Sequence, residues 1–95
     1  MTDEELRQNE INRAAQAQAV MKNPLVTEVL DLLEKDIIKA WEGTPMRDIE
    51  AREKAWMYYL TVKRFRNIFT TYIETGRMAS MQLEQKKLFR IFGGR

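Results

Sequence analysis

Two pairs of carboxylates and two basic clusters are the groups in this 95-residue sequence whose type and spacing could do chemistry. Glu28 and Asp31, like Glu50 and Glu53, stand three residues apart, which on a helix puts both carboxylates of a pair on one face. Helical di-metal centres complete such pairs with a histidine three residues after a glutamate, and the sequence has no histidine. It has no cysteine either, so the usual general bases and the strongest nucleophiles are both missing. The glycines are isolated or terminal, and no Gly-rich loop exists to cradle a phosphate. The carboxylates read instead as a solvated helix face with ion pairs of the Asp31–Lys35 kind. The expectation is a non-enzymatic protein with no catalytic residue, metal ligand or cofactor.

The basic residues are the better lead. Lys63, Arg64 and Arg66 interleave with Phe65 and Phe69, and Lys86, Lys87 and Arg90 form a second cluster. Such groups could hold an anion or neutralise the phosphates of DNA or RNA without reading sequence, in a manner that weakens with salt. Net charge is only +2, but residues 1–50 hold 6 basic and 11 acidic side chains (−5) and residues 51–95 hold 10 and 3 (+7). Either the basic half meets an anionic partner, or the two halves pack together and cancel. Both readings stay open. The phenylalanines, which could stack on bases, also fall on a helical stripe and read first as core.

The elements that position these groups are all helical. Thr2-Asp3-Glu4-Glu5 is a capping box that starts a first helix from Asp3 to about Met21. Its stripe of Ile11, Ala14, Ala17, Val20 and Met21 is weak, so it is expected to pack weakly over 1–22. Asn23-Pro24 caps and opens a second helix to about Glu42. Val26, Val29, Leu30, Leu33, Ile37, Ala40 and Trp41 share one face of it, and Leu25, Leu32 and Ile38 widen that face, which implies more than one neighbour. Gly43, suited to a left-handed cap, ends it. The third helix begins near Asp48, or at Pro45 with Thr44 as cap, and runs to about Thr75. Its stripe of Ala51, Ala55, Tyr58, Val62, Phe65, Phe69 and Tyr72 alternates steps of four and three. Thr75-Gly76 reads as a C-cap, followed by a short fourth helix from Arg77 to about Phe92 and a flexible tail over 93–95. The expected fold is therefore all-α: a single domain with an antiparallel helical hairpin (about 24–42 and 48–75), an N-terminal helix and a short C-terminal helix.

A chain this small has a thin stability margin, and with disulfides unavailable oligomerisation is the remaining reinforcement. The third helix should overhang the second at its aromatic end. The first helix, the fourth helix or another subunit must cover it, and at least one subunit contact is favoured, so Phe65, Ile68, Phe69, Tyr72 and Ile73 are the expected interface with a second copy of the chain or another partner protein. Lys63, Arg64, Arg66, Lys86, Lys87 and Arg90 are the expected anion or nucleic-acid contacts. No apolar run approaches the ~20 residues that span a bilayer, and the acidic N-terminus is unlike a secretory signal, so no membrane partner is expected.

The runs Asn23-Pro24-Leu25, Ala40-Trp41, Thr44-Pro45, Arg47-Asp48, Ala51-Arg52-Glu53 and Trp56, closing with Gly76, Met78-Ala79 and Gln82-Leu83-Glu84, resemble a group of small helical proteins of tailed bacteriophages. The resemblance covers about residues 23 to 84. It implies a source and three roles: a virion or assembly component, a DNA-associated protein, or an inhibitor of host defence. The expectation drawn from both lines is a homo-oligomer serving virion assembly or structure, with DNA contact through its basic half. The alternative is a counter-defence protein that sequesters a host protein or an anionic nucleotide signal, with Arg47, Arg52 or Arg64 holding phosphates. Its place would be the host cytoplasm and, as a structural component, the virion.

Overall fold

A computed structural model describes residues 1–93, and among these every regular element is helical. Helices α1 (Asp3–Lys22), α2 (Pro24–Glu42) and α3 (Ile49–Leu88) are followed by one π-helical turn, Phe89–Gly93. Of the expected tail, Gly94 and Arg95 lie outside the described residues.

Local chemistry sets most of the boundaries. The Thr2 hydroxyl accepts from the Glu5 amide at 3.1 Å and opens α1. The Asn23 side chain accepts from the Leu25 amide at 2.9 Å, with Pro24 in the first turn of α2 where its missing N–H is no loss. Asp48 caps α3 by accepting from the Ala51 amide at 3.2 Å. The end of α2 differs from expectation. Gly43 stays right-handed (φ −79°, ψ −6°), its amide bonds back to the Lys39 carbonyl, and the Thr44 hydroxyl takes the Ala40 carbonyl at 2.7 Å. A side-chain hydroxyl here does what a left-handed glycine would otherwise do.

The expected stop at Thr75-Gly76 is absent. α3 runs for 40 residues without a break, so there is no separate fourth helix from Arg77. No glycine among the described residues has a positive φ, and Gly76 is buried in the middle of the helix. Its role is contact. A Cβ placed on it would collide with the Ala14 Cβ and come within 3.0 Å of the Glu10 carbonyl oxygen.

The chain forms two compact units, Met21–Ile68 and Met1–Val20 with the chain from Phe69 onward; α3 contributes to both. In the first, α2 and the N-terminal half of α3 make the antiparallel hairpin, closed on Leu30, Ala55 and Val62. In the second, α1 lies antiparallel to the C-terminal half of α3, since Arg13 meets Tyr72 while Glu4 meets Arg90. The helices approach closely there because the facing residues are small: Ala14 and Ala17 on α1, Gly76 and Ala79 on α3, with Ala17, Gly76 and Ala79 buried. Close backbone approach gives many weak dispersion contacts in place of large side chains.

The seam of the hairpin keeps Ala55 and Val62 of the stripe read in the sequence and shifts the alternate positions by one. Ala55 and Val62 are inside as expected, with Ala51 and Phe69 half-buried, but the positions alternating with them that turn inward are Arg52, Tyr59 and Arg66, while Tyr58 and Phe65 are exposed. The inward run is thus 52, 55, 59, 62, 66, again in steps of three and four, with Ala55 and Val62 buried and the other three half-buried. A hydrophobic pattern cannot place an arginine in a seam; the acids opposite it do.

Candidate functional site

Arg66 donates from Nε to Glu34 Oε1 and from its terminal nitrogen to Asp31 Oδ1, both at 2.9 Å. Burial works against its charge, and the hydrogen bonds to Asp31 and Glu34 outweigh it, so the guanidinium titrates above its ordinary value. Arg66 is therefore a structural clamp across the hairpin and not an open phosphate ligand. Asp31, expected to pair with Lys35 one turn away, is committed to Arg66 instead. Replacing Arg66 with methionine keeps the stem and removes both bonds. The hairpin is expected to lose about 1–2 kcal/mol in urea unfolding, between the values for an exposed ion pair and a partly buried charged hydrogen bond. Combining it with Glu34→Gln should cost less than the two single losses added, and full additivity would disprove the coupling.

Arg66 also ends a longer stripe. Arg52, Trp56, Tyr59, Lys63 and Arg66 follow one another along α3 in steps of four, three, four and three, so one helix face interleaves cations with aromatic rings. Trp56 and Tyr59 stack with centroids 5.8 Å apart and planes 24° from parallel. The Lys63 ammonium stands 5.2 Å from the Tyr59 ring centre, and the Arg52 guanidinium 4.8 Å from that of Trp41 on α2. Trp41, Trp56 and Tyr59, together with Ile37, Ile38 and Ala55, line an open groove of about 380 Å³. Trp41 and Trp56 remain 42% and 57% exposed. The periodicity that would have revealed this stripe is present in the sequence, but it is a period of rings and charges together, which a hydrophobic count passes over.

A second surface of the hairpin is apolar without being buried. Leu25, Val29, Leu32 and Leu33 on α2 and Tyr58 on α3 are about half exposed, with Val29 at 51% and Tyr58 at 59%. Asp36 of α2 and Lys54 and Tyr58 of α3 line a groove of about 350 Å³ there, and neither Asp36 nor Lys54 has an ion pair among the described residues.

The residues expected at an interface lie partly elsewhere in the packing. Ile68, Phe69 and Ile73 are half-buried, while Phe65 and Tyr72 keep moderate exposure. Tyr72 carries the Arg13 guanidinium of α1, 5.1 Å from its ring centre. α1 thus meets the aromatic end of α3 at Tyr72. Of the expected basic contacts, Lys86 and Arg90 converge on Glu4 Oε1 at 3.9 and 3.1 Å. These pairs, like those of Arg66, join the acidic half of the sequence to the basic half. Arg64 and Lys87 are exposed and make no ion pair among the described residues.

Among the described residues no group of three or more acids, histidines or cysteines could hold a metal ion, and no helix is long and apolar enough to cross a membrane. No protein-family model, no curated protein and no solved structure matches the chain.

Proposed function

We propose that this is a non-enzymatic helical protein that self-associates through the apolar surface of its hairpin, and that it serves phage particle assembly or structure. The supporting observation is the half-exposed set Leu25, Val29, Leu32, Leu33 and Tyr58. Together these residues offer on the order of 500 Å² of largely apolar surface, the size of the core of an interface that buries about 800 Å² per partner. A second copy suits this surface because the patch carries one acid, Asp36, and one base, Lys54, on opposite helices. In a two-fold pairing each can meet its opposite on the other copy. The phage role rests on the resemblance of residues 23 to 84 alone.

Light scattering coupled to size exclusion tests the association. A dimer or larger species is expected in the micromolar range, and a strict monomer at high micromolar concentration overturns the reading. Mass spectrometry of purified particles tests the assembly role separately. The chain is expected in mature virions or in their precursors, and its absence from both removes that role while leaving self-association standing.

A further inference from the structure

The aromatic groove is a different surface from the apolar face above, and it points to a different ligand. We infer that Trp41 and Trp56, backed by Tyr59, stack the bases of single-stranded nucleic acid, with Arg52 and Lys63 taking its phosphates.

Three observations converge. First, the rings are presented and not merely present: both tryptophans of the chain line the groove with about half their surface open. Every base has a π-face, so such a platform binds strands without regard to sequence. Second, the charges fit an anion. Arg52 and Lys63 lie over aromatic rings and form no ion pair among the described residues. The acids Asp31 and Glu34 are meanwhile engaged by Arg66 on the same stripe. Third, the spacing separates a strand from a small ligand. Arg52 and Lys63 are eleven residues apart on one helix, about 16 Å along its axis, with the rings between them. A single nucleotide holds its base and phosphate too close together to engage both cations, whereas a strand lays several phosphates along that distance.

This assigns nucleic-acid contact to residues other than the basic cluster Lys86–Arg90, two of whose members meet Glu4. It does not depend on self-association, and a monomer would carry the same groove.

Because Trp41 and Trp56 are the chain's only tryptophans, intrinsic emission reads the groove directly. Titrating the full chain with a ~12-nucleotide oligothymidylate at low salt should quench that emission saturably, with affinity falling as salt rises. Trp56→Ala, and separately Arg52→Glu with Lys63→Glu, should each weaken binding about tenfold or more, measured by anisotropy of a labelled strand. Circular dichroism and a thermal midpoint establish that each variant is folded; the charge pair leaves every ring in place, so it remains informative if Trp56→Ala does not fold. Lys86→Glu with Lys87→Glu and Arg90→Glu should leave the emission change intact. The assignment is overturned by any of four results: no quenching at millimolar nucleotide, a duplex bound as tightly as the strand, loss only in the C-terminal triple variant, or thymidine monophosphate bound as tightly as the strand. The last would indicate sequestration of a small nucleotide instead.

Discussion

Gly76→Leu is expected to detach α1 from α3 while the hairpin of α2 and the first half of α3 stays folded. The two effects of replacing this glycine oppose each other, and their sizes decide the sign. Gly76 sits inside a continuous helix, where alanine is favoured by about 1 kcal/mol. Against that, any Cβ meets the Ala14 Cβ and the Glu10 carbonyl oxygen of α1, and neither is the end of a flexible side chain that could swing aside. Overpacking of this kind costs about 1–3 kcal/mol and more as the side chain grows. Gly76→Ala is therefore expected to be destabilising by about 1 kcal/mol net, and Gly76→Leu by about 3 or more. α1 has little to resist with, since Ala17 is its buried residue. Hydrogen exchange is the suitable measurement: amides of α1 should lose protection in the leucine variant while those of α2 keep theirs. A thermal midpoint that rises in Gly76→Ala would show that helix propensity wins and that the close approach is not obligatory.

Leu33→Glu combined with Tyr58→Glu is expected to convert the proposed self-associated form to a folded monomer. Both positions are about half exposed in the single chain, so the substitutions remove little from the core of Leu30, Ala55 and Val62. In a two-fold interface the four introduced carboxylates would be desolvated and would outnumber the two Lys54 ammoniums of the patch, at a cost of several kcal/mol. The dissociation constant should therefore rise by about a hundredfold or more. Light scattering reads the change, and an unchanged unfolding midpoint at low protein concentration shows that the fold survives. Lys87→Glu, remote from this face in sequence and exposed, serves as the control for net charge. If the double variant keeps its oligomeric mass, the interface does not run over Leu33 and Tyr58.

Between these residues the limits of sequence reading are visible. The wide apolar face of α2 was evident from Leu25, Leu32 and Ile38, and the structure leaves Leu25 and Leu32 largely outside, where a further neighbour would be needed. The stripe of α3 is helical and keeps Ala55 and Val62 in the seam, but Tyr59 and Arg66 stand where the pattern puts Tyr58 and Phe65, because Arg66 counts as polar in any hydrophobic pattern. The basic clusters were evident as clusters, but which cations are occupied depends on Glu4, Asp31 and Glu34, far away in the chain.

What the sequence by itself determined is what short-range chemistry controls. Thr2 and Asn23-Pro24 start helices because a side-chain oxygen or a proline ring acts on amides only two or three residues away, and the structure chooses Asp48 over Thr44 for the third start. The all-helical class and the hairpin follow from those signals and a short connection. Only the tertiary structure decided whether Gly76 ends a helix or admits another. Both readings are locally allowed, and the choice depends on Ala14 being opposite. Likewise only the packing decided that Arg66 closes the hairpin while Arg52 and Lys63 lie over the rings of Trp41 and Tyr59, because a cation's role is fixed by which acid or ring comes within reach.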